Sequence, residues 1–279
     1  VDYLRMSYLQ SKPEGPIVDH DIPVSSSAQT STYALVIGNE DYSSHQKGLT
    51  TEQNVDYAEN DAKVFAAYCE KTLGIPERQI KLVTNATAAQ IYQGLAWMSN
   101  LAKVENGNAK LIFYYSGHGL PHEQTKEAYI MPVDVSGAHV EYAVKVGEVY
   151  EKLTEHPSKQ VTVFLDACFS GGARDQGLVA VKGVKIKPRE DLVQGNLVVF
   201  SSSTGEESSG VYRDKNHGYF TYFLLKKLQE TGGDIDYNQL SDYLIRSVQK
   251  ETALEGKVQT PRVNVSPVVG ENWKNWRLK

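Results

Sequence analysis

Lys110-Leu111-Ile112-Phe113-Tyr114-Tyr115-Ser116-Gly117-His118-Gly119 is the stretch on which the fold turns. A nearly continuous apolar run of this length, closed by Ser-Gly, is what a strand covered on both faces requires. A second stretch repeats the form: Gln160-Val161-Thr162-Val163-Phe164-Leu165, followed by Asp166-Ala167-Cys168-Phe169-Ser170-Gly171-Gly172. In open parallel sheets, reactive groups collect just beyond the carboxyl ends of strands. His118 and Cys168 each fall three residues past their run. If the two strands are neighbours, both side chains reach the same rim.

Working outward, the sequence alternates strand and helix. Tyr33-Ala34-Leu35-Val36-Ile37 is another buried strand, ending at Gly38. Ala58, Ala62, Phe65, Ala66, Cys69 and Leu73 form one helical stripe, stopped by Gly74 and Pro76. Ile80–Val83 reads as a strand, and Thr87-Ala88-Ala89-Gln90 as a capping box opening a helix to about Val104. A helix over Val146–Leu153, a strand over Leu197–Phe200, helices over 218–230 and 237–250, and a last edge strand over Arg262–Val265 complete the pattern. This order predicts an α/β fold with a mostly parallel central sheet and helices on both faces. Residues 1–30, with Pro13, Pro16, Pro23 and the Ser25–Ser27 run, read as an irregular lead-in. Residues 31–279 read as one unit: a large segment to about 175, a polar loop over 171–196, and a small segment over 197–279.

Composition narrows the function classes. The 279 residues are 41% hydrophobic and 23% charged, which excludes a disordered, collagenous or coiled-coil chain. A net charge of −5 gives no electrostatic reason to expect nucleic acid or an anionic membrane as partner. No apolar run is long enough to span a bilayer, so a soluble protein is expected. Two cysteines, Cys69 and Cys168, are too few for a disulfide scaffold, and Cys69 belongs to the helical core stripe. Val1 in place of Met is what a processed or excised product would show, which leaves the compartment open.

The chemistry follows from residue type. A thiolate at Cys168 is a nucleophile, and the imidazole of His118 can take the thiol proton and later give it to a leaving amine. Glycines around both residues let a peptide approach closely. The main-chain N–H groups of Gly119 and Cys168 are candidates to bind the oxyanion formed on attack at a carbonyl. No third catalytic residue is evident.

These residues resemble the caspase and metacaspase superfamily of cysteine peptidases, the bacterial members (orthocaspases) most of all. Tyr114–Gly119 is similar to the family's histidine motif, Asp166–Gly171 to its cysteine motif, and the 50-residue step between His118 and Cys168 fits the family's spacing. Ile37-Gly38-Asn39 and Ala58-Glu59-Asn60-Asp61-Ala62 also match. The resemblance implies a caspase-like three-layer sandwich with His118 and Cys168 as the catalytic dyad. Animal caspases carry Gln two residues before the nucleophile and Arg directly after it; Asp166 and Phe169 stand there instead. In metacaspases the positions matching Asp61, Ser116 and Asp166 line the primary specificity pocket. A carboxylate at Asp166 would repel an acidic side chain and favour a cationic one, so cleavage after Arg or Lys is expected. Each carboxylate also has a structural reading: Asp61 as a helix cap, Asp166 as a brace for the nucleophile loop.

Further expectations attach to two loops. Arg174, Lys182, Lys185, Lys187 and Arg189, after the nucleophile, are candidate self-processing sites. Ser201–Ser208 resembles the family's substrate-flanking loop, with Ser202 a substrate-binding candidate and Glu206 and Glu207 read as solvated charges. His20, His45, His139, His156 and His217 show no metal spacing, and Asp234–Asn238 fails as a calcium loop because Gln239 and Ile245 replace the required Gly and Glu. No cofactor is required; the calcium many metacaspases need has no placeable site here. Peptides or proteins with basic residues are the expected partners, and a monomer the expected state. Two alternatives stay open: a catalytically silent caspase-like scaffold or regulator, and a dyad peptidase preferring acidic residues.

Overall fold

The computed structural model describes residues 17–170, 193–205 and 207–279. Its centre is a six-stranded sheet built from β1 (Thr32–Gly38), β2 (Ile80–Thr84), β3 (Lys110–Ser116), β7 (Gln160–Asp166), β8 (Leu197–Ser201) and β11 (Arg262–Val265). The spatial order is β11-β8-β7-β3-β1-β2; β11 takes the expected edge position, and every pairing is parallel except its own, which is antiparallel.

Alternation along the buried strands creates two cores, because successive side chains leave a strand on opposite faces. Ala34, Val36, Ile112, Tyr114, Phe164 and Phe200 face one way, onto α1 (Ala58–Lys71), α4 (Tyr219–Thr231) and α5 (Tyr237–Leu254). Leu35, Ile37, Leu111, Phe113, Tyr115 and Val163 face the other, onto α2 (Ala88–Glu105) and α3 (Val146–Thr154). Aromatic rings tie the first core together: Phe65 stacks on Tyr114 at 4.4 Å and Phe164 on Phe200 at 5.2 Å. The arrangement is a three-layer α/β sandwich.

Local chemistry accounts for the element ends. The capping box at Thr87 forms, Thr87 Oγ1 accepting from Gln90 N and Gln90 Oε1 from Thr87 N. Gly38 ends β1 where α1 crosses: a Cβ there would lie 2.3 Å from the Ala58 carbonyl oxygen. Three short strands unforeseen in the sequence, β4 (Gly119–Pro121), β5 (Ala128–Ile130) and β6 (Val144–Lys145), make a small antiparallel sheet beside the rim. A further antiparallel pair, β9 (Val211–Tyr212) with β10 (His217–Gly218), leads into α4.

One expectation needs correction. β3 and β7 extend one residue further than the apolar runs, to Ser116 and Asp166, so His118 and Cys168 lie two residues past their strands rather than three. Small polar side chains end an apolar pattern without ending a ladder. The described part of the lead-in is irregular but not loose: Val18 is fully buried in the first core, and Tyr68 donates its hydroxyl to the Val18 carbonyl at 2.9 Å. No helix among the described residues is long and apolar enough to cross a membrane.

Candidate active site

The rim at the carboxyl ends of β3 and β7 holds the candidate residues. The two strands pair in parallel with Ser116 opposite Asp166, so His118 and Cys168 each lie two residues beyond a matched pair. The loops touch directly. Gly117 N donates to the Asp166 carbonyl at 3.3 Å, and a Cβ on Gly119 would meet the Cys168 carbonyl oxygen at 2.9 Å.

His118 is held on three sides. Its main-chain N–H donates to the Tyr42 hydroxyl at 3.1 Å, and its carbonyl accepts from Tyr115 Oη at 2.7 Å and from Met131 N at 3.0 Å. Tyr42 and Tyr115 are fully buried. The imidazole Nε2 lies 2.7 Å from the Gln53 carbonyl oxygen. A carbonyl can only accept, so Nε2 carries the hydrogen and the neutral ring keeps its lone pair on Nδ1. Gln53 escapes sequence reading because it acts through a main-chain atom.

Cys168 is buried, its sulfur 3.2 Å from Ser170 Oγ, and the thiol donates to the Glu207 carbonyl at 3.5 Å. That carbonyl also accepts from Ser170 and Ser203 hydroxyls. The Glu207 side chain, expected to be solvated, instead clamps Thr260, accepting from its N–H at 2.6 Å and its hydroxyl at 3.2 Å. Glu207 thereby links Cys168, through its carbonyl, to Thr260, through its side chain. Ser202 is fully buried, its hydroxyl donating to the Ala167 carbonyl at 3.2 Å.

Asp61, Ser116 and Asp166 come together, all fully buried. Ser116 Oγ donates to Asp61 Oδ2 at 2.9 Å. The carboxylates also serve the start of α4, whose N-terminal Gly218 offers no capping side chain. Asp61 accepts from Gly218 N at 3.2 and 3.3 Å, and Asp166 from Thr221 N at 3.3 Å and Thr221 Oγ1 at 2.7 Å. Helix N-termini carry unsatisfied N–H groups and a positive dipole end, so both carboxylates are stabilised there. Asp61 caps no N–H of its own helix in these bonds; it caps a helix whose N-cap, Gly218, lies 157 residues away in sequence. Ser209 Oγ donates to Asp166 Oδ1 at 2.7 Å.

His217, which metal spacing gave no reason to single out, lies inside this cluster. Its Nδ1 is 2.8 Å from Asp61 Oδ1 and its Nε2 2.7 Å from Asp19 Oδ1. Burial by itself pulls the imidazole pKa down, but the two carboxylates outweigh it and raise the value to about 9. Ser209 and Thr221 were likewise missed. Thr221 had a faint signal, as the hydroxyl in the aromatic run Tyr219–Phe223; Asp19 had none, lying 198 residues from His217 in the sequence.

Residues 31–269 match the family model of the caspase domain. The chain belongs to that family. Among solved structures, this caspase domain is similar to the protein GSU0716 of Geobacter sulfurreducens, with 19% identity and a TM-score of 0.64 over 88% of this chain and 97% of that one. That likeness concerns the fold. No protein of curated function matches the sequence. Membership supports a cysteine-peptidase kind of protein acting on protein substrates. Arg174, Lys182, Lys185, Lys187 and Arg189 lie outside the described residues, as does Glu206. Among the described residues, no group of three or more His, Cys, Asp or Glu side chains is arranged to hold a metal ion. Cys69, on α1, is buried and its thiol pKa is pushed up by burial, in keeping with a core role.

Proposed function

We propose that this caspase domain is a cysteine endopeptidase that cleaves after Arg or Lys, with His118 and Cys168 as its dyad. The observation that carries the reading is the pairing of β3 with β7, whose matched ends deliver the imidazole and the thiol to touching loops. His118 Nδ1 takes the thiol proton as the sulfur attacks the substrate carbonyl and a C–S bond forms. The oxyanion is held by the N–H groups of Gly119 and Cys168. Collapse breaks the C–N bond, the imidazolium gives its proton to the departing amine, and a thioester remains. Water, deprotonated by His118, attacks the thioester; the acid leaves and the thiol is restored.

Specificity for a cation rests on Asp61, Ser116 and Asp166. Of the charged groups named in the cluster, three are carboxylates (Asp19, Asp61, Asp166) and one is the His217 imidazolium, an excess of negative charge that favours a guanidinium or ammonium. Self-cleavage within 174–189 would follow from the same preference.

Fluorogenic peptides ending in Arg, Lys or Asp, digested by wild type and by Cys168→Ala, test the reading. Turnover of the Arg and Lys peptides, lost in Cys168→Ala, is expected. Faster turnover of the Asp peptide sinks the cationic preference. No turnover of any peptide, together with no labelling of Cys168 by a basic chloromethyl ketone, favours the silent scaffold.

A further inference from the structure

The segment preceding residue 31, where the family match begins, brings a charged group to His217, the neighbour of Asp61. Asp19 ends the short 3₁₀ turn Ile17–Asp19, and its Oδ1 lies 2.7 Å from Nε2 of the fully buried His217. Nδ1 of the same ring lies 2.8 Å from Asp61 Oδ1. Carboxylate oxygens on both sides of an imidazole call for a proton on each nitrogen, so the ring is a cation bridging the two acids.

The turn bearing Asp19 is firmly attached. Val18 is buried against α1 and α4, Tyr68 donates to its carbonyl, and Gln229 Nε2 donates to the Ile17 and His20 carbonyls at 3.1 and 2.7 Å. The groups facing His217 are Asp61 and the Asn60 amide from α1, Asp19 from the lead-in, and the Tyr222 ring from α4 at 6.4 Å.

We propose that Asp19 is a positioning residue for the cation-binding pocket: by holding His217 as a doubly donating imidazolium, it fixes the orientation and the charge balance of Asp61. The lead-in is then part of the specificity machinery rather than a tether. This rests on reading Asp61 as a pocket residue. Two consequences separate it from a merely structural role. With the Asp19 carboxylate replaced by an amide, one of the two charges that keep the ring protonated is gone, and His217 releases its proton nearer neutrality. Asp61 then faces a neutral ring at mildly alkaline pH, and the change appears in substrate binding rather than in the chemical step.

The test uses the full chain as Asp19→Asn, Asp19→Glu and Tyr68→Phe. The His217 imidazole is followed by NMR titration, and KM and kcat for an Arg-ended peptide are measured from pH 6.5 to 9. In Asp19→Asn the titration midpoint is expected to fall by about 1–3 pH units. KM is expected to become pH-dependent across that range while kcat follows wild type, and Asp19→Glu to restore both readouts. Tyr68→Phe loosens the attachment of Val18 without touching the charge; if it changes KM as Asp19→Asn does, anchoring and not charge is responsible and the proposal is overturned. An unshifted midpoint or a flat KM profile in Asp19→Asn overturns it too. Absence of any Arg or Lys turnover by wild type removes the pocket reading and this proposal together, whereas normal wild-type turnover beside an unchanged Asp19→Asn removes this proposal alone.

Discussion

Replacing Gly119 with Ala puts a single methyl group between the two reactive loops. Its Cβ would lie 2.6 Å from the Phe169 ring, about 0.8 Å inside the 3.4 Å at which ordinary contact begins, and 2.9 Å from the Cys168 carbonyl oxygen. Phe169 is partly buried and its ring can swing; the carbonyl is main chain and belongs to the proposed nucleophile. Relieving the second contact displaces Cys168 by about 0.5 Å. Since a misplacement near 1 Å costs about 100-fold in rate, kcat for an Arg-ended peptide should fall about 10- to 100-fold. Overpacking adds a destabilisation of about 1–3 kcal/mol, read as roughly 2–4 °C of Tm per kcal/mol. Steady-state kinetics and thermal unfolding of the same samples separate the two effects, and the fully folded fraction sets the active concentration. A Gly119→Ala protein with kcat within about twofold of wild type would show that the loops do not depend on this contact, and would refute the claim that their closeness sets the geometry of attack.

Two more outcomes follow from buried polar groups. Tyr42→Phe removes the hydroxyl that accepts from His118 N at 3.1 Å and donates to the Met131 carbonyl at 2.9 Å; a stability loss of about 1–3 kcal/mol and a drop in kcat at nearly unchanged KM are expected, and full kcat would show that the His118 backbone needs no such support. His217 has a folded-state pKa of about 9, above the ordinary 6.5, so its ion pairs stabilise the fold fully below about pH 6.5 and lose that contribution as pH rises through 9. Urea unfolding should show stability falling by an amount on the order of 2 kcal/mol between pH 7 and 9.5, a component missing from His217→Asn; equal slopes for the two proteins would contradict the bridging imidazolium.

Much of the sandwich was legible because its strands are buried on both faces and its helices carry apolar stripes. Ala58, Ala62, Phe65 and Cys69 mark α1 as plainly in the sequence as in the structure, and Thr87 with Gln90 marks the start of α2. β4, β5 and β6 were hidden, since strands of two or three residues are too short to display a period. At the rim, glycine-flanked His118 and Cys168 stood out through local chemistry. Their supports did not: the Gln53 carbonyl has no side-chain signature, and Tyr42 reads as an ordinary loop aromatic. Asp19 and His217 meet only because α1 and α4 lie side by side on one face of the sheet.

The pocket is stitched from both ends of the polypeptide, and this bears on the order in which the protein can become dangerous to its neighbours. A nascent polypeptide exposed only as far as Ser203 already presents His118 and Cys168, but Ser209, His217, Gly218 and Thr221, the donors that fix both acidic side chains, are still within the ribosome. Nor does the unfinished polypeptide have Thr260, the anchor for Glu207. On the proposed reading, nascent or prematurely terminated products would carry His118 and Cys168 without the means to grip a cationic residue, and selective cutting would begin only once the residues through Thr260 are in place.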